Sequence, residues 1–365
     1  MPESSVTVVI PNYNGIAYIR DCLDSLLSGT VVPEIIVVDN ASTDGSREVV
    51  EKEYAGRATL LSLRSNTGFC HAVNSGIHLT RTPYVLLLNN DTVVTEHCVE
   101  RLLAAISRKK RIFSVQAKLL SYADHGVIDD AGDEYCALGW AFARGKGRPA
   151  ETYNRPSAVF SCCAAAAIYR MSVFGEIGYF DERHYCYLED VDIGWRARIY
   201  GYVNWYEPSA VVYHVGSAAS GSRHNPFKEI CTSGNNRYLL WKNMPALQRG
   251  LNWPLTAFGA AVKRRYFTQK GLGESYDSGY ARGAYLIELA KYEDLMRRYD
   301  SPEKRPLMEE AGLMVEEEAG GEQEKPLLHP LYLGGKVPFR VRHLPNYFRI
   351  QLALWGNLGR RLKQK

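Results

Sequence analysis

Tyr84-Val85-Leu86-Leu87-Leu88-Asn89-Asn90-Asp91-Thr92 is an apolar run that stops at two amides and a carboxylate. Its length, and its boundaries at Pro83 and Asn89, suit a buried strand of a parallel sheet. Such a strand carries Asp91 to its carboxyl end, where open α/β sheets bind ligands. A polar turn closing the strand is the other reading, because Asn and Asp are common turn residues.

The pattern repeats on both sides of this stretch. Val6 to Ile10 runs into the turn-rich Pro11-Asn12-Tyr13-Asn14-Gly15, and Ile35 to Val38 ends at Asp39, with Asp44 and Ser46 placed to cap a helix from Arg47 to Tyr54. Ile16, Ile19, Leu23, Leu26 and Leu27 recur at helical spacing. Leu60 to Leu63 reads as a third strand. Asn66-Thr67-Gly68-Phe69 then leads into a helix with Ala72, Val73, Gly76 and Ile77 on one face and Asn74 off it. A helix bearing Val99, Leu102, Leu103 and Ile106 precedes a strand near Ser114 to Ala117. Alternating strands and helices predict an α/β fold of βαβ units with a mostly parallel central sheet. No GxGxxG follows the first strand, which argues against a dinucleotide-binding dehydrogenase.

Asp124 to Pro156 is looser and Gly-rich, and reads as extended segments with a mobile loop. Phe160 to Tyr169 is small and apolar, suited to close packing beneath a site. Glu189 and Asp190 fall in a first helical turn, where the helix dipole favours ionised carboxylates ready to act as bases at neutral pH. Plain helix-start chemistry explains the same residues. Asp192 and Arg196, four apart, read as a surface pair. Val203 to Tyr206 and Ala210 to Tyr213 read as two short strands, the second ending at His214.

A length of 365 residues predicts one large domain with an appendage. Hydrophobic residues at 46% and charged residues at 23% are ordinary for a folded soluble protein, and a net charge of +4 gives no case for nucleic acid. The eight cysteines lack CxxC pairs and zinc spacing, which predicts a reducing, cytoplasmic setting. Neither a signal-type segment nor a membrane-length apolar run is expected.

Taken together, Val9-Ile10-Pro11-Asn12-Tyr13-Asn14, Val37 to Ser46, Asn66-Thr67-Gly68-Phe69, Leu88 to Thr92, Gly178-Tyr179-Phe180-Asp181, Glu189-Asp190-Val191-Asp192 and Tyr213-His214 resemble the inverting family-2 glycosyltransferases of GT-A fold, in their rhamnosyltransferase-like branch. The resemblance runs from about Val6 to Asn243. It implies a sugar nucleotide over the strand ends, with Pro11, Asn12, Tyr13 and Asp39 around base and ribose and with Asp44, Asn74 and Asn90 as further contacts. Asp91 resembles the last residue of a DxD motif holding Mg²⁺ or Mn²⁺ on the donor diphosphate. His214 is a second ligand, and Asn89 stands where the first carboxylate would be. Asp190 or Glu189 resembles the base that takes the acceptor's proton. The branch implies dTDP-L-rhamnose as donor and a lipid-linked or cell-surface glycan as acceptor. A metal-independent enzyme ranks second because of His214. A sugar-phosphate nucleotidyltransferase and a non-catalytic scaffold that binds glycan are the alternative functions. Lys228 and Arg237 receive no catalytic role.

Four segments are expected: a catalytic domain over 1–243, a helical extension over 244–300, an acidic linker over 301–325 and a basic amphipathic tail over 326–365. The tail has no acidic residue, and its apolar positions from Tyr347 to Leu362 recur at helical spacing. That suits peripheral attachment to an anionic membrane surface on the cytoplasmic side. A helix docked on its own protein or on a second subunit is the competing reading.

Overall fold

The computed structural model describes residues 5–216, 221, 224–299 and 336–363. The first half alternates β1 (Val6–Asn12), α1 (Ile19–Leu27), β2 (Glu34–Asp39), α2 (Ser46–Glu53), β3 (Thr59–Ser62), α3 (Phe69–Leu79), β4 (Tyr84–Leu88), β5 (Thr92–Val94), α4 (Cys98–Ser107) and β6 (Ile112–Ser121). Short strands β7 (Ile128–Asp130), β8 (Asp133–Cys136), β9 (Trp140–Ala143) and β10 (Ser157–Val159) come next. After them come β11 (Ala166–Arg170), α5 (Met171–Ile177), α6 (Glu189–Ile199) and β12 (Val203–His214). Among the described residues, four helices follow: α7 (Pro226–Asn243), α8 (Ala246–Gln269), α9 (Gly273–Tyr299) and α10 (Leu344–Lys363).

The main sheet has the order β10-β12-β6-β11-β4-β1-β2-β3, with β5 on β12 and β7 on β6. β3, β2, β1 and β4 are mutually parallel, as are β6 and β12, while β11 runs antiparallel between β4 and β6. The carboxyl ends of β1, β2, β4, β6 and β12 therefore share one edge. Alternation along each strand divides the core. Val8 and Ile10 of β1 and Leu86 and Leu88 of β4 pack with α1 and α4, whereas Val9, Val85 and Leu87 pack with α3, α5 and α6. Both faces are covered, which is why these strands read as unbroken apolar runs. Truncating the fully buried Leu86 to alanine costs roughly 2–5 kcal/mol.

The extended segments expected over Asp124 to Pro156 are present as β7 and the β8–β9 hairpin, which buries Tyr135 against Phe160 and Trp195. One expectation needs correction. The two short strands near Val203 and Ala210 are one strand, interrupted by a bulge between Glu207 and Val211 where Pro208 cannot donate to the ladder.

A third core joins the sheet half to the C-terminus. Tyr347, Ile350 and Leu354 of α10 are buried with Tyr135, Trp195, Ile199, Leu239 and Met244. Asn357 Nδ2 donates to the Tyr135 carbonyl at 2.8 Å and Asn346 Nδ2 to that of Ile199 at 3.0 Å. The face carrying Tyr347 is therefore docked on the protein itself and is not free for lipid. The expected linker, residues 301–325, lies wholly outside the described residues. Among the described residues, no helix is long and apolar enough to cross a membrane.

Candidate active site

Asn12, at the end of β1, sits in a buried polar network. Its Nδ2 donates to Asp39 Oδ1 at 3.0 Å and Ser46 Oγ at 2.9 Å, and its Oδ1 accepts from Asn90 Nδ2 at 2.8 Å. Asp39 Oδ2 accepts from the Ser42 amide at 3.1 Å. Asp39 is fully buried, so it shapes the loop rather than presenting itself to a ligand. Asp44 ties this loop to the next. Its oxygens accept from the Ile16 amide at 2.8 Å and Ser46 Oγ at 2.6 Å, and against a cost from partial burial these bonds hold its pKa low. Pro11 and Tyr13 are half-buried at this edge and Asn90 is buried. Asn74 departs from expectation. Its amide donates to the Phe180 carbonyl and Glu182 Oε1 and accepts from the Phe180 amide, at 2.8, 3.0 and 3.1 Å. It staples that segment to α3 and has no free donor for a nucleotide.

Asp91 emerges just past β4 and meets His214 at the end of β12. Asp91 Oδ1 lies 3.3 Å from His214 Nε2, and Asp91 Oδ2 accepts from the Gly216 amide at 3.2 Å. On the far side of the ring, His214 Nδ1 is 2.9 Å from Asp129 Oδ2, within β7. Asp129 thereby fixes the imidazole and aims Nε2 at Asp91. Nε2 is buried and lacks a hydrogen bond of proper geometry, although it lies near Asp91. A divalent cation shared with the Asp91 carboxylate would satisfy both groups, so these residues fit the expected metal. In the ion-free protein, burial opposes protonation of His214, but Asp129 and Asp91 outweigh it and raise its pKa to about 9. Asn89 is half-buried beside Asp91, and its side chain makes no hydrogen bond to the described residues.

The base candidates arrive on a strained loop. Tyr185, Tyr187 and Leu188 all have positive φ, at 63°, 71° and 66°. Asn235 of α7 holds this backbone, its Nδ2 lying 2.9, 2.8 and 2.8 Å from the carbonyls of His184, Cys186 and Tyr187. The Tyr185 ring lies against Gly68, where a Cβ would come within 2.5 Å of it, and Gly68 has a φ of +86°. The Asn66-Thr67-Gly68 motif thus seats the loop that leads into α6.

The Ala164 amide approaches the Asp190 carboxylate closely enough to lower its pKa, while the next residue, Ala165, accepts the Asn89 amide at 3.0 Å. One short segment therefore brings Asp190 to the edge that carries Asp91. Burial raises the Asp190 pKa to about 6, assisted by Asp130 and offset by the amides of Val191 and Ala164. Burial also raises Glu189 well above the usual carboxylate range, with the charge of Asp190 adding to it, and Glu189 Oε2 has no hydrogen-bond partner among the described residues. Desolvation overrides the helix dipole in both cases. Of the two, Asp190 is the more readily ionised.

Asp192 and Arg196 are not a surface pair. Asp192 is fully buried, accepting from Arg196 Nε, Lys242 Nζ and Asn243 Nδ2 at 2.9, 2.8 and 2.8 Å. Lys242 also reaches Asp181 Oδ2 at 2.7 Å. Asp181, His184 and Asp192 converge closely enough for a cation, and Lys242 already supplies one. Asp130, Asp133 and Cys163 also converge near Asp190. Burial pushes the Asp130 pKa to about 6 and raises Asp133 well above the usual carboxylate range, and Asp133 Oδ2 has no hydrogen-bond partner among the described residues.

The sequence reading missed Asp129, Lys242 and the role of Asn235. Ile128-Asp129-Asp130 repeats the signal of a strand ending in carboxylates and could have been found. A separate cavity of about 350 Å³ lies among α7, α8 and α9, on the helical side.

Residues 7–178 match the model of glycosyl transferase family 2. The N-acetylglucosaminyl-diphospho-decaprenol L-rhamnosyltransferase of Mycobacterium tuberculosis is 28% identical over 259 residues, covering 64% of this chain and 82% of that one. Glycosyltransferase GlyG of Streptococcus pneumoniae is 31% identical over 107 residues, 28% of this chain and 36% of the relative. GalNAc-T7, solved with UDP, GalNAc and Mn²⁺, superposes with a TM-score of 0.54 at 15% identity, over 66% of this chain and 49% of that structure. This chain thus spans about half the length of that structure, and the likeness shows a GT-A architecture.

Proposed function

We infer, from the premise that this chain carries a glycosyl transferase family 2 domain, that it is an inverting glycosyltransferase. It moves a sugar, L-rhamnose from dTDP-L-rhamnose in our reading, onto a hydroxyl of a lipid-linked or cell-surface glycan. The rhamnosyltransferase relative supports that choice of donor and acceptor class. One observation carries the reading. Asp91 lies against His214 where β4 and β12 end, and the Ala164-Ala165 segment that approaches Asp190 also accepts the Asn89 amide two residues ahead of Asp91.

Asp91 and His214 would hold Mg²⁺ or Mn²⁺, with Asn89 beside them as a neutral oxygen ligand. When bound, the cation offsets charge developing on the leaving diphosphate. Asp129 holds the His214 ring for that task. The loop braced by Asn12, Asp39 and Asp44 presents Pro11, Tyr13 and Asn90 to the nucleotide. Asp190 takes the proton of the acceptor hydroxyl as the oxygen attacks the anomeric carbon and the bond to diphosphate breaks. Glu189, the harder of the two to ionise, hydrogen-bonds at the acceptor side. Asp130 and Asp133 line the same side and suit sugar hydroxyls. We place the enzyme on the cytoplasmic side, where nucleotide sugars and a lipid-linked acceptor meet.

Calorimetry with dTDP-L-rhamnose, UDP-sugars and GDP-sugars, with and without Mn²⁺, tests this. Metal-dependent binding of dTDP-L-rhamnose, weakened by His214→Ala, is the expected result. Binding of none of these donors would refute the reading.

A further inference from the structure

Two C-terminal helices each carry an apolar face that no described residue covers. On α10, Tyr347, Ile350 and Leu354 point inward, yet Leu344, Phe348, Leu352, Trp355 and Leu362 recur along a neighbouring stripe and are 45–65% exposed. On α8, Leu247, Leu251, Phe258 and Val262 recur in the same manner, and Leu247 is 88% exposed. A surface helix of a soluble protein needs one apolar stripe, and α10 has two.

The helices are joined by a polar seam. Gln351 of α10 bonds to Gln248 at 3.0 Å and to Asn252 at 2.7 and 2.9 Å on α8. Leu247 and Leu352 are the sequence neighbours of Gln248 and Gln351, so the two exposed stripes flank this seam.

The surrounding charge is of one sign. Neither α8 nor α10 contains an aspartate or glutamate. Arg265, Arg349, Arg360 and Arg361 are exposed on these helices, with Arg340 and Arg342 just ahead of α10. The carboxylates that approach them are engaged, Glu134 with Arg360 and Asp277 with Arg264.

We propose that this two-helix face docks on the surface of an anionic bilayer, with α8 and α10 lying in the plane of the headgroups. Leu, Phe and Trp side chains enter the acyl boundary, and the arginines meet lipid phosphates. A second copy of the chain is a poor occupant, because two-fold pairing would set these arginines against one another. The inference goes beyond sugar transfer and does not depend on the identity of donor or acceptor.

The test is co-sedimentation of the full chain with vesicles of phosphatidylglycerol and phosphatidylcholine, beside pure phosphatidylcholine vesicles. The protein binds the anionic vesicles, and raised salt weakens binding. The double variant Leu352→Glu, Trp355→Glu lowers partitioning by about tenfold or more. Both residues are exposed, so the variant keeps its melting temperature and its turnover of a water-soluble acceptor. Vesicle binding unchanged in the variant overturns the proposal. So does absence of binding, whether the chain elutes as a dimer that the variant dissociates or binds only once residues 300–335 are deleted.

Discussion

Replacing Lys242 with methionine removes the cation that joins Asp181, ahead of the catalytic loop, to Asp192 in α6. All three side chains are buried, so water cannot replace the lost charge. Breaking a buried ion pair costs about 3–5 kcal/mol. Each carboxylate keeps a partner: Tyr238 Oη at 2.9 Å on Asp181, and Arg196 with Asn243 on Asp192. That places the expected loss near the low end, about 3 kcal/mol, or a urea midpoint shift of about 1 M for a slope of ~3 kcal/mol/M. The deficit depends on pH with a definite sign. Burial alone would raise Asp192, but Arg196 and Lys242 depress it to about 2, and Lys242 likewise holds Asp181 low. In the parent protein, that stabilisation is present above the ordinary carboxylate pKa and is lost as pH falls through the depressed folded values. Without Lys242 both folded pKa values rise, so the variant's deficit shrinks as pH falls from 7 to about 4. Urea unfolding of both proteins across that range is the assay. A loss under about 1 kcal/mol, or a deficit independent of pH, would refute the reasoning.

Asp129→Ala frees the His214 ring and should weaken Mn²⁺ binding by about 10- to 100-fold, read by electron paramagnetic resonance, with little change in folding. Gly68→Ala drives a methyl into the Tyr185 ring at an unfavourable φ. It should cost about 2 kcal/mol by urea unfolding and lower turnover by disturbing the loop ahead of Asp190. Asp190 must be ionised to accept a proton and its pKa is raised to about 6, so the turnover rate should climb as pH rises through about 6 and level off above it. A rate that is flat from pH 5 to 8 speaks against that base.

The strand-end logic was legible because each apolar run stops at a polar residue. The common edge of Asp39, Asp91 and His214 follows from strand directions the alternation implies. Side-chain allegiance was not legible. Asn74 has the right chemistry for a nucleotide, yet its hydrogen bonds are consumed by a turn about a hundred residues away. Asp192 looked like a surface residue because its i,i+4 partner was local, while Lys242 and Asn243 come from a distant helix. The helix dipole favours ionised Glu189 and Asp190, but the depth of their burial, which works against ionisation, is a tertiary property. The tail had apolar residues on more than one face, and only packing shows that Tyr347 turns inward while Trp355 does not.

The central claim is that Asp190, and not its neighbour Glu189, is the base at the edge carrying Asp91 and His214. Single-turnover transfer from saturating donor, compared between Asp190→Asn and Glu189→Gln, tests it most directly. The account predicts a loss of about 10²–10⁴-fold for Asp190→Asn and a much smaller loss for Glu189→Gln. Near-normal transfer by Asp190→Asn, with donor binding intact, would contradict it.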